Sequence, residues 1–321
     1  MKRIAVLTSG GDCSGMNAAI RAVVRAGLSA GLEVVGILRG YQGLIEGDRR
    51  TLTTRSVSNI LQRGGTVLQS SRCPPMHEER GQRTAAEKVR ELGLEGLVVI
   101  GGEGSLKGAL ALHRQGVPVI GMPASIDNDI PGIDISLGVD TALNQIIYAV
   151  DSIRDTASSS NRAFVVETMG RNCGYLALAA GVACGAEHIL IPEIPEIDIA
   201  AIAENLSRRY REGRLNSIIM VAEGLASAQS IADRIRNHTE LEMRIMVLGH
   251  YQRGGSPSIF DRLLGCRFGV AAVAALQQGI SGKMTSLINH EVQLADLDEI
   301  FRRERPPLDE ELRQLAETLS I

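Results

Sequence analysis

The sequence predicts an α/β fold of stacked layers built on mainly parallel sheets, and three observations carry that prediction. Strand-like apolar runs alternate with helical patterns nearly from end to end. One run, Leu97-Val98-Val99-Ile100, is continuously apolar, as a strand covered on both faces must be. Glycine turns follow strands directly and lead into helices, as at Gly101-Gly102-Glu103-Gly104-Ser105. In an open parallel sheet the loops at the carboxyl ends of the strands face one crevice, so chemistry is expected there.

Taken in order, Lys2 to Thr8 reads as a strand, Ser9 to Asn17 as a glycine turn, and Ala18 to Leu28 as a helix. Leu32 to Leu38 is a second strand that ends at Gly40-Tyr41. Thr51 to Gln69 is expected to hold a polar helix before Gly64-Gly65-Thr66. A helix over Gly81 to Leu92 leads into the strand at Leu97, a helix near Ser105, and a strand over Val117 to Met122. That strand delivers Asp127, Asn128 and Asp129. Thr141 to Ala157 has apolar residues at helical spacing, and Ser158 to Arg162 is a polar break. Strands follow at Ala163 to Val166, Ile189 to Ile191, Asn216 to Ala222 and Met243 to Leu248. Helices are expected through Leu176 to Val182, Ile199 to Arg211, Ala228 to His238 and Asp261 to Gln278.

Composition narrows the function classes. A length of 321 residues suits two domains or one large one, and 44% hydrophobic content fills a sizeable core. The net charge of −3 gives no general pull toward nucleic acid or an anionic membrane, and Trp is absent, so base-stacking platforms are not expected. The five cysteines are scattered and lack C-x-x-C spacing, which argues against a disulfide framework or a zinc site and for a reducing, cytoplasmic compartment. No apolar run reaches membrane length and no signal-peptide layout is present.

The stretch from Leu97 to Pro131 concentrates the chemistry. Glycines that open a helix let backbone N–H groups approach a phosphate, and the helix N-terminus favours negative charge. A carboxylate pair, Asp127 and Asp129, is expected to share that cleft, which is the outline of a phosphoryl-transfer site. Arg21 and Arg25 share a helix face, and either a solvated face or an anion site explains them. Arg72 taken alone reads as a surface arginine.

Six motifs together resemble the bacterial 6-phosphofructokinase family. They are TSGGDCSGMNAAIR at 8 to 21, RGGT at 63 to 66, GGEGS at 101 to 105, SIDND at 125 to 129, ETMGR at 167 to 171, and the run from Arg244 through GHYQRGGSP to Arg262. The resemblance implies two Rossmann-like three-layer α/β/α domains with mainly parallel sheets and the active site in the cleft between them. It implies a larger ATP-binding domain of residues 1–138 with 251–300, and a smaller fructose 6-phosphate-binding domain of 139–250 with 301–321. The implied reaction is ATP-dependent phosphorylation of fructose 6-phosphate at the 1-hydroxyl, the committed step of glycolysis.

The resemblance also carries residue roles. Gly11, Tyr41, Arg72, Cys73, Gly102, Glu103, Gly104 and Ser105 would bind ATP. Asp127 would take the proton from the sugar hydroxyl, with Arg72, Ser125 and Arg171 completing the catalytic set. Ser125, Ile126, Asp127, Met169, Gly170, Arg171 and Glu223 would hold the sugar phosphate. His250, Tyr251, Gln252 and Arg253 would join them, and Arg162 and Arg244 would reach over from a neighbouring subunit. Glu103 and Asp129 would serve Mg²⁺. An effector site for ADP, GDP or phosphoenolpyruvate would use Arg21, Arg25, Arg55 and Arg154, with Gly185, Glu187, Arg211 and Arg214. The family assembly is a homotetramer.

The chain departs from the family pattern at several of these positions. Glu103 stands where Asp is usual, Ser125 where Thr is usual, Ala124 where Gly is usual and Ser14 where Pro is usual. Gly213 stands where Lys is common, and Arg55 is offset by one from the usual arginine. The changes at 103, 124 and 125 motivate an alternative, a catalytically weakened regulatory paralogue. A pyrophosphate-dependent phosphofructokinase is the other alternative. Such relatives place Asp at the position of Gly104 and Lys at that of Ala124, and neither residue here can project a charge.

Overall fold

Two sheets are assembled from the apolar runs in the computed structural model, which describes residues 1–157, 162–214, 216–304 and 308–319. The polar break expected from Ser158 lies outside the described residues except for Arg162. The chain divides into a first unit, Met1–Thr141 with Arg253–Pro306, and a second, Ala142–Gln252 with Pro307–Ile321.

The first unit holds strands β1 (Arg3–Ser9), β2 (Glu33–Ile37), β3 (Arg49–Leu52), β4 (Gly96–Gly101) and β5 (Val119–Pro123), then β10 (Lys283–Ile288) and β11 (Glu291–Asp296). Their order is β11-β10-β5-β4-β1-β2-β3. The inner pairings are parallel, and the two edge strands, β3 and β11, are antiparallel to their neighbours. Every residue of β4 is buried, which fits its central place and its unbroken apolar sequence. One sheet face, with Ala5, Leu7, Val35, Leu97, Val99 and Val119, packs on α2 (Gly40–Glu46), α3 (Glu79–Glu91), α4 (Glu103–Arg114) and α10 (Leu297–Arg302). The other face meets α1 (Met16–Ser29), where a Cβ on Gly27 would stand 2.6 Å from Val34, and α9 (Ile259–Gln277), whose Leu276 abuts Gly96. The result is three layers.

The second unit has a parallel sheet of order β7-β8-β6-β9, from β6 (Ala163–Thr168), β7 (His188–Leu190), β8 (Ser217–Ala222) and β9 (Met243–Val247). On one face, α7 (Ile199–Arg211) and α8 (Ala228–Arg236) bury Ile202, Leu206, Ile231 and Ile235 against Val165, Ile219 and Val221. On the other face lies α6 (Tyr175–Ala183), where a Cβ on Gly181 would meet Ile189 at 2.6 Å. Helix α5 (Val139–Ala157) runs from the first unit into the second, and α11 (Glu310–Leu319) closes the described chain.

The polar helix expected within Thr51 to Gln69 is not there. After β3 the segment is a series of turns with Asn59 and Gln69 at φ 56 and 60. Side chains from elsewhere satisfy its backbone in place of a helical ladder. Asn17 Nδ2 donates to Arg63 O and Gly64 O, Val67 N donates to Asn17 Oδ1, and Thr8 Oγ1 donates to Gln69 O. Gly64 is required, because a Cβ there would lie 2.3 Å from Gly255 O.

Candidate active site

The turns after β1 and β4 are packed against each other in the first unit. A Cβ on Gly101 would fall 2.4 Å from Ser9 O and 2.7 Å from Ser105 Oγ, so only glycine permits this approach. Arg253 Nη1 donates to Asp12 O at 2.9 Å, and a Cβ on Gly11 would stand 2.4 Å from the same nitrogen. Arg253, expected on the sugar phosphate, thus rests on the glycine turn after β1. Helix α4 begins at Glu103, and its first turn presents amides that have no partner within the helix, a ready seat for phosphate. Tyr41 lies beneath this turn. Its hydroxyl donates to Ser105 O at 2.6 Å, the ring fills the space left by Gly108, and burial raises the phenol well above its ordinary pKa. Tyr41 therefore braces the cradle from within the core. Around Gly104 nothing lies within 4 Å of an added Cβ. Cys73 is buried, with its thiol pushed up by that burial, and Arg72 beside it is exposed.

The loop after β5 is held by its own side chains. Asn128 adopts a left-handed conformation at φ 51, which Asn tolerates better than most residues. Its Oδ1 accepts from Ser136 N at 2.9 Å, and Ser136 Oγ accepts from Ser125 N at 2.8 Å. These bonds set Ser125, whose hydroxyl donates to Asp129 Oδ1 at 2.8 Å. Ile126 is buried and Asp127 half-buried. A Cβ on Gly102 would lie 3.6 Å from Ser125 Cβ, so the ends of β4 and β5 are neighbours. Glu103 pairs with Lys107 Nζ at 2.6 Å. Among the described residues no group of three His, Cys, Asp or Glu side chains could hold a metal. Mg²⁺ takes as few as one or two carboxylates and fills its shell with water and phosphate, so the chemistry of Glu103 and Asp129 fits that ion without a third protein carboxylate.

In the second unit, Met169, Gly170, Arg171, Glu223, His250, Tyr251 and Gln252 follow the carboxyl ends of β6, β8 and β9. Gln252 is buried and ties two of these segments, accepting from Met169 N at 3.2 Å and donating to Gly249 O at 3.0 Å. Gly224 has no alternative, since a Cβ would lie 1.9 Å from Arg171 O. Arg162 and Arg244 are not brought to this group. Arg162 immediately precedes β6 and Arg244 is the second residue of β9, so both sit at the amino ends of the strands. At ~3.3 Å per residue the length of β6 separates them from Met169 by roughly 20 Å. Both arginines converge on Glu242, a residue the sequence reading missed. Arg162 Nε donates to its Oε2 at 2.8 Å and Arg244 pairs with its Oε1. The hydrogen bond from Arg162 is the main cause that holds the Glu242 carboxyl below its usual range. Two arginines on one carboxylate is a fork arrangement that a phosphate would also satisfy.

Of the expected effector residues, Arg21, Arg25 and Arg55 lie in the first unit, the first two one turn apart on α1. Arg154, Gly185, Glu187, Arg211 and Arg214 lie in the second. Arg154 Nη2 donates to Cys184 O at 2.6 Å and to Gly185 O at 3.3 Å. Glu187 is buried against Arg209.

Comparison with known proteins follows the same outline. The phosphofructokinase family model matches residues 3–276. The ATP-dependent 6-phosphofructokinase of Thermotoga neapolitana is 50% identical over 321 residues, which is the whole of both chains. That of Natranaerobius thermophilus is 48% identical over the same full span. Among solved structures, a phosphofructokinase from Saccharomyces cerevisiae superposes with a TM-score of 0.86 at 34% identity, over 100% of this chain and 47% of that one, so the present chain spans about half of its length. A pyrophosphate-dependent phosphofructokinase from Marinobacter aquaeolei superposes at 0.85 over 99% and 91% of the two chains but is 20% identical, a likeness of fold alone.

Proposed function

The chain belongs to the phosphofructokinase family, and on that premise we propose how it works. It transfers a phosphoryl group from ATP to fructose 6-phosphate, releasing ADP and fructose 1,6-bisphosphate. The observation that carries the ATP-dependent reading is the match, across the whole of both chains, to ATP-dependent 6-phosphofructokinases at 48 to 50% identity. The open space beside Gly104 supports it, because a pyrophosphate-type carboxylate at that position would occupy room that ATP needs.

In this account the first unit takes ATP and the second takes the sugar phosphate. Amides of Gly11 and of the first turn of α4 receive the phosphate oxygens. Asp127 accepts the proton from the 1-hydroxyl as its oxygen bonds to the γ-phosphorus and the bond to the β–γ bridging oxygen breaks. Ser125, locked by Ser136 and Asp129, fixes the loop that presents Asp127. Arg72 and Arg171 offset charge on the transferring group, where a preorganised cation acts most strongly. Mg²⁺ held by Glu103 and Asp129 would neutralise phosphate charge. Arg162 and Arg244 bind the 6-phosphate of a neighbouring subunit. Their position at the far end of β6 from Met169 supports such sharing, and hence a tetramer with complete sites only in the assembly. Regulation by ADP, GDP or phosphoenolpyruvate at the Arg154–Arg214 region, and a cytoplasmic location, belong to the same reading.

The test of the chemistry is Asp127→Ser. Turnover with ATP should collapse by about two to four orders of magnitude, the range for removing a positioned base. Fructose 6-phosphate should still bind, as measured by calorimetry. Retained turnover would remove Asp127 as the base.

A further inference from the structure

The turn after β1 grips the Arg253 segment at two points. At the side-chain end, Arg253 Nη1 donates to Asp12 O at 2.9 Å, and the guanidinium lies against Gly11. At the backbone end, Ser14 Oγ donates to Gly255 O at 2.9 Å, with Gly254 O at 3.3 Å. Ser14 is 2% exposed, so water does not compete for this bond. Asn17 holds Arg63 O and Gly64 O, and Gly64 packs on Gly255 O, where a Cβ would lie at 2.3 Å. All of these residues belong to the first unit.

We propose that Ser14 is a positioning residue for fructose 6-phosphate binding and that it acts through Arg253. The proposal rests on the reading that Arg253 meets the sugar phosphate. Arg253 is followed by Gly254 and Gly255, and Gly255 takes a left-handed φ of 89. Successive glycines give a segment the widest choice of backbone conformations, so an arginine mounted on them has to be held from outside. The Ser14 hydroxyl supplies that hold. It has a single proton, and the short contact to Gly255 O is the acceptor that takes it. The bond to Asp12 O occupies one of the guanidinium N–H donors, and the rest of the fork matches the geometry of phosphate oxygens. Ser14 stands where proline is usual, and proline has no hydroxyl to donate, so this grip is a property of the present chain. In the sequence Ser14 reads as part of a glycine turn, and nothing local links it to a carbonyl 241 residues away.

The test is calorimetric titration of the full-length protein with fructose 6-phosphate, and separately with ATP, in the unaltered chain, Ser14→Ala, Arg253→Ala and the double variant. Ser14→Ala should weaken fructose 6-phosphate binding about three- to tenfold, the net effect of one buried hydrogen bond, and leave ATP binding within about twofold. Arg253→Ala should weaken fructose 6-phosphate binding at least about tenfold, as loss of charge-assisted hydrogen bonds requires. Adding Ser14→Ala to Arg253→Ala should cost less than about twofold more, because a residue that acts through another has no effect once the other is gone. Should Ser14→Ala melt too low to titrate, Ser14→Cys, close in shape but a far weaker donor, takes its place. Where binding in the Arg253→Ala background is too weak to titrate, the split between the two ligands in Ser14→Ala decides alone. Unchanged fructose 6-phosphate binding in folded Ser14→Ala, an equal loss for ATP, or an undiminished Ser14→Ala effect in the Arg253→Ala background overturns the role of Ser14 while that of Arg253 stands. Unchanged fructose 6-phosphate binding in Arg253→Ala overturns the reading of Arg253 and the proposal with it.

Discussion

Gly104→Asp puts the donor assignment to a quantitative test. Gly104 is the second residue of α4, and an added Cβ meets nothing within 4 Å. The substitution should therefore leave the fold intact. A carboxylate in the first turn of a helix is worth ~0.3–1 kcal/mol in its favour, so the melting temperature should hold or rise slightly. The effect on ATP is of opposite sign. A carboxylate about 4 Å from a phosphate oxygen costs about 1 kcal/mol at the dielectric of water and about 4 kcal/mol at an effective value of 20. The KM for ATP should accordingly rise between roughly fivefold and several hundredfold. The KM for fructose 6-phosphate should move little. Steady-state kinetics with each substrate varied in turn, beside a thermal melt, read both effects. A folded variant whose KM for ATP stays within about twofold would refute the placement of the nucleotide against the first turn of α4.

Two further substitutions test neighbouring parts of the account. Tyr41→Phe removes the buried bond to Ser105 O and should cost about 1–2 kcal/mol of stability, with a raised KM for ATP; an unchanged melting temperature would show that the phenol does not brace the cradle. Glu242→Gln frees Arg162 and Arg244 from an internal carboxylate and should lower the KM for fructose 6-phosphate severalfold at neutral pH, whereas a raised KM would mean that Glu242 holds the arginines in their binding pose. Because the Glu242 carboxyl is held below its usual range, the pair is intact above that range and is lost only as pH falls through the lowered value.

What the sequence disclosed, and what it hid, follows from where the information lies. Buried parallel strands announce themselves, because β4 needs an apolar residue at every position and the sequence supplies them. The glycine turns were legible for a similar reason, since Gly101 meets the backbone at Ser9 O, a contact that leaves no room for a side chain. The 53–69 segment misled because its backbone is held by isolated turn bonds and by Asn17 and Thr8, 50 and 61 residues away from their partners in sequence, which no local pattern records. The hairpin of β10 and β11 was missed because its two-residue turn, Asn289-His290, takes left-handed angles without the glycine that usually marks such turns. Glu242 was invisible because it pairs with Arg162, 80 residues away, and in the sequence it is one more surface-type charge.

The central claim is that this chain phosphorylates fructose 6-phosphate from ATP, and initial-rate measurement of fructose 1,6-bisphosphate formation with ATP and with pyrophosphate as alternative donors tests it most directly. The account predicts Mg²⁺-dependent product formation with ATP, ADP release only when the sugar phosphate is present, and no turnover above background with pyrophosphate. Turnover with pyrophosphate and none with ATP would contradict it.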